Sequence, residues 1–209
     1  MNLLTAPPTR PVMLHTDDGV VIPVDASRWH VAADAADESV LDRVTGSVLD
    51  IGSGPGRIVT ALASRGHHTL GIDICHQAVE QANRSHALSV VADVFGHVPC
   101  GGHWGTALLL DGNVGIGGDP HALLSRVQDL VCRDGRLIVE TEVHDAPRTG
   151  RRVRVAHGDD MSDWFNWTVV SRTDLQSYAH RSGWQITETW TSQDRTFSLL
   201  ELGRRPCPG

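Results

Sequence analysis

The segment Val48-Leu49-Asp50-Ile51-Gly52-Ser53-Gly54-Pro55-Gly56-Arg57 constrains the fold more than any other stretch of this chain. A short apolar run gives way to Gly52, Gly54 and Gly56, then to helical spacing. Such a turn reverses the backbone sharply and leaves N–H groups open at a helix start, which glycine permits best. Strand and helix patterns alternate from this point on. Val48–Ile51, His68–Ile72, Leu88–Ala92, Thr106–Leu110 and Leu137–Val139 read as strands, the fourth apolar enough to be covered on both faces. Arg57–Arg65, Gln77–His86 and the stretch opened by Asp119-Pro120 read as helices, with Asp119 as N-cap and Pro120 in the first position.

The flanks follow the same rules. Val12 to Val24 reads as a hairpin around Asp17-Asp18-Gly19, and Asp34 to Val44 as a helix stopping at Gly46. Ser171 to Ser182 is a helix with Ser171 and Asp174 spaced as a capping box. Trp184–Trp190 and Thr196–Leu202 form a closing strand pair. The pattern predicts an α/β fold: a doubly wound, mostly parallel seven-stranded sheet with helices on both faces and an antiparallel edge strand. Ligands of such sheets sit at the carboxyl ends of the strands, near the point where strand order reverses. Residues 1–46 read as an arm, hairpin and lid helix, and 47–209 as one ligand-binding domain interrupted by an insertion at about 142–168.

Composition narrows the partners. A chain of 209 residues with 40% hydrophobic and 21% charged residues suits one core. No run approaches the ~18 apolar residues of a membrane span, and the N-terminus lacks the order of a secretory signal, so a cytoplasmic protein without a membrane partner is expected. A net charge of -7 disfavours nucleic acid. All 18 basic residues are Arg, which excludes Schiff-base lysine chemistry and the lysine of an ATP-binding loop. Cys75, Cys100, Cys132 and Cys207 form no CxxC, so small buried thiols are expected rather than a zinc site. The histidines show neither HxxxH nor HExxH spacing, and no metal is expected.

Two ligand types use a glycine turn of this kind. A dinucleotide site, GxGxxG, would place its last glycine at residue 57, where the chain has Arg57. A Tyr-x-x-x-Lys pair is also missing, since the chain has only Tyr178 and no lysine. The pattern present is an acid followed by GxGxG: Asp50, Gly52, Gly54, Gly56. In this the chain resembles the class I S-adenosylmethionine (SAM)-dependent methyltransferases. The resemblance runs over residues 48–140 and implies a cofactor site at the ends of successive strands. It places the cofactor against Asp50, Gly52, Ser53, Gly54 and Gly56. It gives Asp73 both ribose hydroxyls, with Ile74 beside it, because a carboxylate can accept two parallel hydrogen bonds. It sets Asp93 and Val94 at the adenine amino group. Asp111, Gly112 and Asn113 then face both cofactor and acceptor.

A sulfonium methyl is already activated, so positioning and exclusion of water carry most of the chemistry. A general base helps a hydroxyl acceptor. Asp111 leads that role and His144 follows, with His30 a further candidate. The loop from Gly112 to Gly118 packs close to cofactor or acceptor, or else simply connects to the Asp119 cap. In the insertion, Arg152 and Arg154 share one strand face and, with Arg148 and Arg151, grip an anionic acceptor or pair with Asp159, Asp160 and Asp163. Trp164, Phe165 and Trp167 wall an acceptor pocket or anchor the insertion, and Trp29 stands before the lid helix. Asp111, Glu142 and His144 or Asp145 imitate a metal set of some relatives, but the Asp-Asn pair usual after the fifth strand is absent. Asp111-Gly112-Asn113-Val114 also departs from the pattern of nucleic-acid base methylases.

The expected activity is transfer of a methyl group from SAM to oxygen or nitrogen of a small-molecule acceptor, as in secondary metabolism, by a monomer or homodimer. A SAM-binding protein without transferase activity, an NAD(P)-dependent oxidoreductase and a protein methylase stand as alternatives.

Overall fold

A computed structural model describes residues 11–141 and 152–203. Val12–Thr16 (β1) and Val21–Val24 (β2) form the hairpin, followed by a 3-10 helix at Ala26–His30 and by α1 at Ala35–Leu41. The alternating region contains β3 (Val48–Ile51), α2 (Arg57–Ser64), β4 (Thr69–Asp73), α3 (His76–Arg84), β5 (Ser89–Val91), β6 (Trp104–Leu109), α4 (Pro120–Leu130) and β7 (Val131–Thr141). The remainder holds β8 (Arg152–His157), β9 (Asp160–Met161), β10 (Phe165–Asn166), α5 (Arg172–Arg181), β11 (Trp184–Ser192) and β12 (Arg195–Leu202). No helix among the described residues is long and apolar enough to cross a membrane.

Seven strands form the main sheet in the order β11-β12-β7-β6-β3-β4-β5. β3 to β7 run parallel, and β12 runs against both β7 and β11. The reversed strand therefore sits one place in from the edge. Side chains alternate across β6. Ala107 and Leu109 join Leu123, Leu124 and Val127 of α4, while Leu108 and Leu110 join Val40 and Leu41 of α1 and Ile58 and Leu62 of α2. Both faces are thus covered, as the apolar runs require. Strand order reverses between β4 and β6 on either side of β3, which makes the carboxyl ends of β3 and β6 the switch point at which such sheets take their ligands.

Two boundaries moved for identifiable reasons. α1 stops at Leu41 rather than Val44. Arg43 turns its guanidinium back to the carbonyl of Ser39 (2.8 Å), while its own N–H bonds to Val40, tightening the last turn. β7 begins at Val131 rather than Leu137, because its pairing with β6 resumes after an irregularity between Trp104 and Thr106.

β8 pairs antiparallel with β1, and β10 and β9 pair with β8, so the hairpin and the insertion build one small sheet, β10-β8-β1-β2. One face of it buries Val12 with Val24 and Val155 against Ala26 and Trp29. The expected buried thiols are not found among the described residues: Cys75 and Cys132 are half-buried and Cys100 is exposed. Cys100 lies in the turn before β6 at φ 56°, a position that keeps it at the surface.

Candidate functional site

The turn after β3 is built tightly on its inner side. Gly56 has φ 89°, and a Cβ there would stand 2.6 Å from Ala87 Cβ and 2.9 Å from Ala82 Cβ. Backbone N–H groups of Gly52 and Ser53 donate to the carbonyl of Ile72 on β4 (2.8 and 3.1 Å). Asn113 donates from Nδ2 to the carbonyls of Ile51 and Gly52, both at 2.9 Å. It thus ties the loop after β6 to the glycine turn, and its amide nitrogen is spent there. Ser53 turns its hydroxyl inward, so close to Gly71 that a Cβ on that glycine would be 2.5 Å from it.

Three carboxylates line the strand ends. Asp73, at the end of β4, accepts from Gly54 N (2.9 Å) and Cys75 N (2.8 Å). Burial pushes its pKa up, and those N–H bonds oppose the rise. Asp50, on β3, is buried, and its pKa is pushed up to about 8 by desolvation first and then by the charges of Asp111 and Asp73. Asp111, after β6, has φ 51°, and its N–H donates to Glu140 Oε2 (2.7 Å). Burial pushes its carboxyl up, Arg57 pulls it down, and Glu140 adds to the rise.

Beneath Asp111 lies a network of buried charges. Arg57, the first residue of α2, binds Asp37 through Nη1 and Asp111 Oδ2 through Nη2 (2.7 Å). Arg195 binds Asp37 Oδ1 (2.7 Å) and takes both oxygens of Glu140 (2.8 and 2.7 Å), with Asp111 Oδ1 at 3.4 Å. Asp37 is also the third residue of α1 and closes a reciprocal cap with Asp34 (2.9 and 3.0 Å). Arg28 of the 3-10 helix stands at the rim, 3.9 Å from Asp111 Oδ1.

The other strand ends are more open. Asp93 is exposed and accepts from Phe95 N (2.9 Å), whereas Val94 is buried. Arg126 of α4 donates to the carbonyls of Val94 (2.9 Å) and Gly96 (2.7 Å) and fixes this turn. Ile74 and Phe95 project outward, 73% and 43% exposed. They offer apolar surface beside Asp73 and Asp93 that a flat ring would cover.

The loop from Gly112 to Gly118 packs on aromatic rings. Trp167 Cζ2 lies 3.9 Å from where a Cβ on Gly112 would stand, and its Nε1 lies 2.9 Å from the same point on Gly115. Thr168 N donates to Gly115 O (3.0 Å) and Thr168 Oγ1 to Gly118 O (2.9 Å), which knits the insertion to this loop. Phe165 meets Trp167 edge to face at 6.2 Å and is 38% exposed. Arg152 and Arg154 share one face of β8, as their alternation predicts, and Val155, on the other face, packs with Trp29. Arg154 lies over the ring of Trp164 at 4.8 Å. Trp29 also borders a groove of about 450 Å³ whose other walls include His30, Pro55, Arg57, Thr60 and Gln81.

The structure therefore brings Asp50, Gly52, Gly54, Asp73, Asp111, Gly112 and Asn113 together at the carboxyl ends of β3, β4 and β6, with Asp93 and Val94 after β5 and Ile74 after β4, while Gly56 and the Ser53 hydroxyl face inward. Trp167 reaches the loop after β6, and Arg152 and Arg154 lie across the small sheet from Trp29. Glu142, His144, Asp145, Arg148, Arg151 and Cys207 lie outside the described residues. Sequence reasoning missed Asp37, Glu140, Arg195 and Arg28. Only Arg57 left a signal, as a large cation where a dinucleotide turn would have glycine.

The family profile described as "Methyltransferase domain" matches residues 27–189. No curated protein matches the chain in sequence. Among solved structures, a SAM-dependent methyltransferase from Bacteroides fragilis in complex with S-adenosyl-L-homocysteine is 17% identical. The match has a TM-score of 0.78 and covers 97% of this chain and 92% of that one. The 1,6-didemethyltoxoflavin-N1-methyltransferase of Burkholderia thailandensis is 15% identical at a TM-score of 0.60, over 81% and 77% of the two chains. An amino pentose methyltransferase from Micromonospora echinaspora involved in calicheamicin biosynthesis is 16% identical at a TM-score of 0.60, over 84% and 94%. At these identities the likeness is one of fold.

Proposed function

The chain belongs to the methyltransferase-domain family, and from that footing we propose that it transfers a methyl group from SAM to oxygen or nitrogen of a small-molecule acceptor. The observation that carries this reading is the glycine turn at the ends of β3, β4 and β6, where the acids Asp50, Asp73 and Asp111 stand at successive strand ends. The donor set suits a nucleoside with a cationic amino-acid tail better than a pyrophosphate. Gly54 faces open space, since a Cβ added there meets nothing within 4 Å.

SAM, when bound, supplies a methyl carbon already activated by its positive sulfur. The chain's task is then to orient and to exclude water. Asp73 retains acceptor capacity beyond its two backbone bonds and takes the ribose hydroxyls. Asp93, Ile74 and Phe95 receive the adenine. Asp111, a fifth of its side chain exposed, takes the ammonium and borders the acceptor. Trp167, Phe165 and Trp29 wall the acceptor side, an apolar surround in which a neutral nucleophile needs little further activation. We read the described parts of the N-terminal region, residues 11–46, and of the insertion, residues 152–168, as a cover over the domain that begins at residue 47, acting in the cytoplasm.

Incubation with methyl-labelled SAM and a panel of small amines and phenols tests the reading. Label in the low-mass fraction is expected. Label confined to protein would favour side-chain methylation, and binding of SAM without any transfer would favour a sensor.

A further inference from the structure

Asp37, Arg57, Asp111, Glu140 and Arg195 come from α1, α2, the loop after β6, β7 and β12, and each binds the next. Inside the protein three carboxylates face two guanidinium groups. Arg28 and Asp34 stand at the rim, with 30% and 35% of their side chains exposed. The buried set thus carries one more negative than positive charge. The excess falls on Asp111, whose side chain is 21% exposed, against 0% for Asp37 and 10% for Glu140. A carboxylate in such a place takes up a proton unless cations hold it charged. Arg57 is the cation closest to it, and Arg57 is itself fixed by Asp37 of α1.

We propose that Arg57 is a positioning residue for cofactor binding: anchored on Asp37, it holds Asp111 ionised at the switch point, where an α-ammonium group completes the charge balance. The proposal rests on the SAM reading of that switch point. The charged and titratable groups facing Asp111 are Arg57 from α2, Arg195 from β12, Arg28 from the 3-10 helix, Glu140 from β7 and Asp50 from β3. Removing Arg57 leaves burial and the neighbouring acids to set the proton on Asp111. The ligand's ammonium then competes with that proton, and affinity falls most at low pH.

Calorimetric titration of S-adenosylhomocysteine (SAH) into the full chain between about pH 5.5 and 7.5 reads this out, since each pH unit of protonation costs about tenfold in affinity. Wild type is expected to gain affinity with pH and then level off. Arg57→Gln is expected to bind at least about tenfold more weakly at the acid end and to level off at least about one pH unit higher, so that the gap narrows as pH rises. Arg57→Lys, which keeps the charge, is expected to return to within about threefold of wild type. In an Asp111→Asn background, Arg57→Gln is expected to change little further. A gap of equal size at every pH, as lost packing would give, overturns the proposal, and so does Arg57→Gln binding like wild type. If Arg57→Gln fails to fold by circular dichroism, Asp37→Asn takes its place with the same two overturning outcomes. SAH failing to bind wild type would sink the cofactor reading instead.

Discussion

Arg195 meets Glu140 fork to fork, Nε to Oε1 at 2.8 Å and Nη2 to Oε2 at 2.7 Å, across neighbouring strands β12 and β7. The pair is buried, and Glu140 Oε2 also accepts the N–H of Asp111. Glu140→Ala would remove both acceptors of the Arg195 fork and the acceptor of the Asp111 N–H, leaving Arg195 with Asp37 at 2.7 Å and Asp111 at 3.4 Å. A loss of roughly 3–5 kcal/mol is expected. For a domain of this size that lowers the melting midpoint by about 10 °C, measurable by circular dichroism, with a smaller drop for Glu140→Gln.

Asp50 gives stability a pH dependence of known sign. Its folded pKa of about 8 lies above its ordinary 3.8, so the folded chain holds a proton that the unfolded chain has released. Stability is fully present below about pH 4, falls as pH rises toward 8, and levels above it. The slope from this one group is at most ~1.4 kcal/mol per pH unit. The raised Asp73 and Asp111 act in the same direction. Asp50→Asn is expected to flatten the profile in urea melts at pH 5, 6, 7 and 8.

Asp73 serves the turn as well as the ligand, which calls for a pair of variants. Asp73→Ala loses the acceptor of Gly54 N and Cys75 N and is expected to lose stability and SAH binding together. Asp73→Asn keeps one acceptor oxygen. It is expected to stay folded while binding SAH at least about thirtyfold more weakly, the equivalent of ~2 kcal/mol for a charge-assisted pair. Calorimetry separates the two effects.

Gly56 and Gly54 separate packing from ligand approach. Gly56→Ala drives a methyl into Ala82 and Ala87 and is expected to cost at least ~2 kcal/mol of stability. Gly54→Ala meets nothing within 4 Å. It is expected to cost only the ~1–2 kcal/mol of a left-handed residue at φ 52°, yet to weaken SAH binding, because the methyl stands where the ligand approaches. Urea melts and calorimetry on both variants check this.

The main sheet was legible because buried parallel strands read as continuous apolar runs between capped helices. Asp119 does cap α4, accepting from Ala122 N at 3.1 Å, and Ser171 caps α5. The site was legible because Asp73 and Asp111 fall at strand ends. The small sheet was not, since Leu14 pairs with Val155 across most of the chain and neither segment carries a mark of its partner. The charge network escaped for the same reason. Asp37 looks like a helix-start acid and Arg195 like a hairpin-turn residue, and only folding brings the two together. The glycines of the 112–118 loop were visible, but the ring that Gly115 accommodates belongs to Trp167.

Thermal denaturation with SAH and, separately, with NAD tests the central claim most directly. A ligand of the native state at about 100 times its dissociation constant adds ~2.7 kcal/mol, or roughly 5–10 °C at this size. The account predicts a rise of that order with SAH and none with NAD. A rise with NAD alone would contradict it.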